Sequence, residues 1–428
     1  MSQEDTPDTR KFSRRDANVR VVAASSTMRG YREKQEDRFA VCLELPVPGS
    51  SINQEVMFFG VYDGHRGFTM AQHVATTLHS VLAASDAYKK ALYRDALDVS
   101  FRAMDQDVLD GRVLSAEAEE EDKNYPNAPG EPTSSGCTAT VALIIGKRII
   151  VANAGDSRAV ICRSGKAIQL STDHSPFKPS ELERIHAAGS KVIKGKVGFM
   201  LAMSRSLGDI GAKSTEGLTP EQQPIIGIPD LQETTLTADD EFMVLASDGV
   251  WTALLDRDQV SRSFLKSLAS EDLEKLMTGM GKLPEKTTGT AKETLDKMVT
   301  GFTNADIRRA ISSLGEVNQY KLYEAGEKSS SQNVCDVVRW CIAQKLPLDK
   351  VCECVLDFCF ANFNGNDNMT IVVVAFLNGR TFNGWQTWVA TRERREYGRK
   401  GRVFEAFEPR PDKPATLNEI VAQALRAR

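Results

Sequence analysis

Three of the most apolar stretches in this chain are short enough to be strands, and each has an aspartate just outside one end. Phe58-Phe59-Gly60-Val61-Tyr62 runs into Asp63, Met243-Val244-Leu245-Ala246-Ser247 runs into Asp248, and Asp367 stands ahead of Met369–Phe376. A strand that is apolar on both faces is buried and rigid, so an acid at its tip is held where acids from neighbouring strands can share its site. Glycine follows Asp63 and Asp248, which permits a sharp turn and makes the carbonyl of Gly64 a candidate ligand. Asp156, in Asn153-Ala154-Gly155-Asp156-Ser157, lies between two further strand-like runs, and Glu36-Asp37 precede another.

Singly, each of these is ordinary: an Asp-Gly pair is most often a tight turn, and Asn364-Gly365-Asn366-Asp367-Asn368 reads first as a loop. Together they raise an electrostatic problem. Two carboxylates about 4 Å apart repel by roughly 4 kcal/mol at an effective dielectric of 20, so converging acids need a cation or protonation. An oxygen-only donor set favours a hard ion. With five histidines and no CxxC pair, Mg2+ or Mn2+ fits better than zinc.

The rest of the chain is consistent with a large globular protein. Its 428 residues are 41% hydrophobic and 26% charged, enough for a substantial core. A formal net charge of -4, with no dense basic stripe before the last fifty residues, leaves no footprint for nucleic acid. The eight cysteines sit in apolar runs and read as reduced core residues of a cytoplasmic or nuclear protein. The first residues lack a signal-peptide core, residue 2 is Ser rather than Gly, and no apolar run is long enough to span a bilayer, so no membrane partner is expected.

Along the chain, residues 1–18 are polar and expected to be disordered. Strand-like runs follow at Val21–Met28, Arg38–Leu45 and Val56–Tyr62, then helical spacing from Phe68 and again from Ala87 to about Leu109. Cys137–Ile145, Arg148–Asn153, Arg158–Arg163 and Ala167–Leu170 read as a meander, Pro179–Ala188 as a helix, and Asp230–Thr235 and Phe242–Ser247 as strands. Helices near Val334–Ala343 and Lys350–Asn362 lead into Met369–Phe376. Grouped strands and helices point to an α+β layered architecture, with two packed sheets and helices outside.

In order, these segments resemble the metal-dependent type 2C protein serine/threonine phosphatase family. The matching stretches are Gly30-Tyr31-Arg32 with Glu36-Asp37, Tyr62-Asp63-Gly64-His65, Ser135-Gly136-Cys137-Thr138-Ala139, Ala152–Arg158, Leu201–Arg205 with Gly208-Asp209, Ala246–Trp251 and Asp367–Thr370. The resemblance implies an antiparallel β-sandwich of two sheets flanked by helices, with a binuclear Mg2+ or Mn2+ centre at one end. It implies that Asp63 bridges the two metals, Asp248 and Asp367 complete one, and Glu36 with the Gly64 carbonyl the other. Asp37 would orient metal-bound water, Arg32 would hold phosphate, His65 would act as general acid, and no covalent phosphoenzyme would form. Phosphoproteins are the implied substrates. The catalytic domain would span 19–379, with a helical insertion at about 266–332 and a C-terminal extension at 380–428; insertion or tail could dock a protein partner.

Two alternatives use the same residues differently: a catalytically weak adaptor or regulator, and a small-molecule phosphohydrolase. The main departure from the family pattern is Thr252, where a second acid often helps Asp156 hold a third, weaker metal. Asp173-His174-Ser175-Pro176 and Lys196–Phe199 also differ, and both flank a flap-like region expected to influence substrate preference. A hydroxyl binds divalent cations more weakly than a carboxylate, so a calorimetric Mn2+ titration should find two sites and a third much weaker; three sites of similar affinity would contradict this.

Overall fold

The computed structural model of the protein describes residues 6–46, 55–114, 133–198, 200–269, 271, 272, 274, 276, 299–312, 316–363, 366–394, 419, 420, 424 and 425. Two antiparallel sheets lie face to face. The larger has the order β1 (Asp8–Ala17), β2 (Val21–Gly30), β16 (Met369–Phe376), β15 (Asp240–Ala246), β9 (Arg158–Arg163) and β10 (Lys166–Gln169). The smaller runs β14 (Asp230–Thr235), β8 (Arg148–Ala154), β7 (Ala139–Ile145), β4 (Val56–Tyr62) and β3 (Arg38–Cys42).

The central strands are buried on both faces because each face has its own apolar partner. Between the sheets, Met57, Phe59 and Val61 of β4 meet Met243 and Leu245 of β15 and Val372 and Val374 of β16. Outside the smaller sheet, Phe58, Val141 and Leu143 pack on helices α1 (Thr69–Ala84), α2 (Asp86–Lys89) and α3 (Tyr93–Leu109). A small sheet of β5 (Gly64–His65), β6 (Gly136–Cys137) and β13 (Leu207–Gly208) adjoins this layer. The flap-like region carries α4 (Pro179–Ala187) and a hairpin of β11 (Val192–Ile193) with β12 (Lys196–Val197). Outside the larger sheet, Val244, Val373 and Ala375 pack on α5 (Asp248–Ala253), α8 (Glu316–Ala343), α9 (Leu348–Phe363) and α10 (Phe382–Arg394). Continuous apolar strands are therefore the sequence signature of a four-layer sandwich.

Residues 8–17, expected to be disordered, instead form β1 in antiparallel register with β2. The strand is an edge, held by main-chain bonds and by polar contacts: Lys11 Nζ lies 2.6 Å from Asp357, and Ser13 Oγ donates to Glu353 at 2.9 Å. A half-exposed edge strand needs little apolar content, so hydrophobicity gives no warning of it. The tail also contributes to the fold. Trp385 of α10 is fully buried and its Nε1 donates to the Glu241 carbonyl at 3.0 Å. Within the range 266–332 anticipated as an insertion lie the end of α6 (Arg257–Ser267), α7 (Asn304–Ser312) and the first half of α8; most of 270–298 lies outside the described residues, as do residues 115–132 and 395–418. All eight cysteines are free thiols and seven are buried, Cys352 and Cys354 on α9. Among the described residues no helix is long and apolar enough to cross a membrane.

Candidate active site

The sheet registers explain why distant acids meet. Ala246 at the end of β15 pairs with Ile371 near the start of β16, so Asp248 and Asp367 lie at the same end of the larger sheet. Arg38 at the start of β3 pairs with Tyr62 at the end of β4, which puts Glu36-Asp37 beside Asp63 at the corresponding end of the smaller one. Asp156 sits in the link by which the chain crosses from β8 to β9, from one sheet to the other.

Each acid is fixed by neighbours. The Asp63 amide donates to Thr138 Oγ1 at 3.1 Å, and the Thr138 amide donates back to the Asp63 carbonyl at 2.8 Å. Asp37 is buried and accepts from Ser247 Oγ at 2.8 Å. Glu36 accepts from the Gly67 amide at 2.6 Å, while its own amide donates to Asn368 Oδ1 at 2.8 Å. Asn368 also donates to the carbonyls of Arg29 and Lys34, both at 3.0 Å, and so pins the loop that carries Arg32 to the start of β16. Gly64 approaches the Glu36 backbone so closely that a Cβ there would lie 2.5 Å from the Glu36 carbonyl oxygen; no other residue fits.

Burial, and then the charges of Asp37, Asp248, Asp367 and Asp156, raise the Asp63 pKa well above the usual carboxylate range. Burial and Asp248 do the same to Asp156. Burial also lifts Asp37, to about 7, and Asp248, to about 6, with Asp367 adding to both. Glu36 is raised by burial. Asp37, Asp63, Asp156, Asp248 and Asp367 thus form one electrostatic unit.

That unit fits a hard divalent cation: the donors are all oxygens, and Asp37 and Asp156 each keep one buried carboxylate oxygen without a hydrogen-bond partner. Among the described residues no group of three or more His, Cys, Asp or Glu side chains is already drawn in to hold a metal ion. The reason is visible in their present partners. Asp367 is turned onto Arg32, whose Nη2 lies 2.9 Å from it.

Arg32 stands at the rim, half exposed, with Nε donating to the Asn366 carbonyl at 3.0 Å. Burial opposes its charge, but Asp367, Asp63 and Asp248 outweigh that and raise its pKa. His65 Nε2 lies 2.6 Å from Asp209, which also accepts from Ser206 Oγ at 2.7 Å. Burial disfavours charge on Asp209, yet His65 and these hydrogen bonds hold its pKa below the usual range. Gly136 leaves the room for this pair, since a Cβ on it would lie 2.5 Å from His65 Nε2. Asp209, Asn368, Thr138 and Ser247 fall inside the matched motifs, but only long-range contacts reveal their work.

His174, undecided from sequence, is a structural staple: fully buried, it donates its amide to the Gly155 carbonyl at 2.9 Å and receives the Gly155 amide on Nδ1 at 3.1 Å. His73 pairs with Asp107 at 2.8 Å. Cys137 is packed in the core, and Ser204 supports Glu181 and the His174 carbonyl. Thr252 lines the same cavities as Asp248, with Asp367 in one and Asp156 in the other.

An antiparallel sandwich carrying a buried acid cluster at one end, with an arginine and a histidine at its rim, has the layout of a metal-dependent phosphohydrolase. A sequence model of the family described as PP2C, Protein phosphatase 2C, matches residues 22–277. Protein phosphatase 2C homolog 2 of Hypocrea jecorina is 31% identical over 394 residues, covering 90% of this chain and 69% of the relative. Its namesake in Schizosaccharomyces pombe is 31% identical over 373 residues, covering 86% and 76%. Among solved structures, that of a phosphatase from a pathogenic strain of Toxoplasma gondii aligns with a TM-score of 0.50 at 18% identity, covering 86% of this chain and 96% of the other; it bears on the fold alone. The chain belongs to the protein phosphatase 2C family, whose members are Mg2+/Mn2+-dependent protein serine/threonine phosphatases.

The raised acids predict a pH signature for chelated protein. Unfolded aspartate titrates near ~3.9, so from there to about pH 7 the native cluster holds protons that the unfolded chain has lost, and stability falls as pH rises through the window. His174 and His79, lowered by burial, act in the opposite sense, so the comparison is with Asp248→Asn. In EDTA, the urea midpoint of Asp248→Asn should gain on that of the wild type between pH 5 and 7.5; a constant gap would contradict the shared charge.

Proposed function

We propose that the protein hydrolyses phosphoserine and phosphothreonine esters in proteins by direct attack of water, with no covalent phosphoenzyme. The observation that carries this reading is the convergence of Asp37, Asp63, Asp156, Asp248 and Asp367 from both sheets on one buried unit, with Arg32 and His65 beside it. Asp63, Asp248, Asp367, Glu36 and the Gly64 carbonyl would hold two Mg2+ or Mn2+ ions, and Asp156 a weaker third. Bound divalent cations supply Lewis acidity toward the phosphoryl oxygens and the attacking water.

The chain's own groups account for the remaining steps. Arg32, already at the rim, exchanges Asp367 for phosphate oxygens, for which its planar fork of donors is well matched. Asp37, with one oxygen on Ser247 and the other unpartnered, orients the attacking water. As the new P–O bond forms, the bond to the seryl or threonyl oxygen breaks, and His65, its ring fixed by Asp209, gives that oxygen a proton. No serine or cysteine nucleophile is required: Ser204 and Cys137 are buried in structural roles.

Phosphate release from a phosphothreonine peptide should require Mn2+ or Mg2+ and fall by at least about a hundredfold in Asp63→Asn, in line with losses on removing groups that stabilise transition-state charge. Folded, metal-binding protein without turnover on either metal would favour the adaptor. Turnover of phosphorylated metabolites but not of phosphopeptides would favour a small-molecule phosphohydrolase.

A further inference from the structure

Beside the carboxylate cluster, between the flap-like segment, α6 and the first half of α8, lies a cavity of about 660 Å3, within the range of ligand pockets. Asp156 and Asp248 form part of its wall, and Asp248 and Thr252 also border the adjoining cavity that contains Asp367, so the chamber borders the reaction site. The wall formed by α8, which begins at Glu316, lies beyond the stretch matched by the family model, which ends at residue 277.

The polar groups in the wall are mostly engaged with one another. Arg158 forks onto Asp173 at 2.9 and 2.8 Å, lies 4.9 Å over the Trp251 ring, and donates to the Glu327 carbonyl and to Ser330 and Ser331, each at 3.0 Å. Tyr323 donates to Asp173 at 3.2 Å. This network fastens α8 to the back of the reaction site. What it leaves for an incoming group is largely apolar, Phe177 from the flap, Leu255 just before α6, Val260 within it and Leu322 from α8, with the exposed Lys194 and Arg257 also in the wall.

Gly326 sharpens the argument. It lies inside a helix of 28 residues, where glycine is less favourable than alanine. Packing does not demand it, because an added Cβ would meet only Leu255 side-chain carbons at 3.5 and 3.7 Å, an ordinary contact. The missing side chain keeps open the space over Leu255.

We propose that this chamber is a substrate subsite that takes an apolar side chain, of leucine or phenylalanine size, close to the phosphorylated residue of the protein substrate. The proposal rests on the phosphatase reading above. With phosphate at the carboxylate cluster, a group in the adjoining chamber belongs to a residue only a few positions away, since an extended chain advances about 3.3 Å per residue. Burying such a side chain would raise kcat/KM by roughly tenfold or more.

The test uses the full chain with Mn2+ and phosphothreonine peptides in which a single phenylalanine or leucine moves through three positions on either side of the phosphoresidue in a glycine-serine background. At one position the wild type should prefer the apolar peptide over its all-glycine-serine counterpart by about tenfold or more. That ratio should fall toward one in Gly326→Phe, which occupies the space over Leu255, with a thermal melt showing that the variant is folded; Val260→Asp, which places a charge in the wall on α6, should lower it too. Equal kcat/KM across the wild-type panel overturns the subsite but leaves the phosphatase reading intact. A preference unchanged in both folded variants also overturns it. Failure to hydrolyse any phosphopeptide, the all-glycine-serine one included, overturns both.

Discussion

The structure depends on holding several aspartates of like charge in one dry place. Asp37, Asp63, Asp156 and Asp248 are pushed toward their protonated forms by burial and by one another, a cost that a folded chain retains only if the surrounding framework imposes it. The framework is the sandwich. Strands covered on both faces cannot slip without exposing a whole apolar row, so their ends, and the acids on them, are fixed to the register of the sheets. Function and strain thus have the same origin.

Around the acids, a small set of polar residues converts sheet geometry into site geometry. Asn368 ties the Arg29–Lys34 loop to β16, Thr138 clasps Asp63, and Ser247 links Asp37 to the end of β15 while accepting the Thr370 amide at 3.0 Å. On the far side, Arg158 and Asp173 anchor α8. That long helix, with the flap, bounds the approach to the acids. The acids and the walls of the approach thus belong to different layers: the acids to the two sheets, the walls to helices outside them.

Much of this was legible in the sequence because burial on both faces writes itself as uninterrupted apolar runs. Phe58–Tyr62, Met243–Ala246 and Met369–Phe376 all lie in central strands, and the acids flanking them converge as the pattern required. Strand β1 was invisible because an edge strand is stabilised by main-chain pairing and by Lys11 and Ser13 reaching α9, not by an apolar face. The bond between His65 and Asp209 spans 144 positions, and no local period encodes such a contact. The same holds for Trp385, whose indole N–H reaches the Glu241 carbonyl. The role suggested for Gly326 depends on a side chain that is absent, and it emerged only when Leu255 was seen across the gap.

The central claim is that the buried acids form a divalent-cation site, and anomalous scattering from crystals grown with Mn2+ tests it most directly. The account predicts Mn2+ between Asp63 and the pair Asp248 and Asp367, with a second ion beside Glu36 and the Gly64 carbonyl and Arg32 released from Asp367. Crystals that bind Mn2+ only elsewhere, with Arg32 still on Asp367, would contradict it.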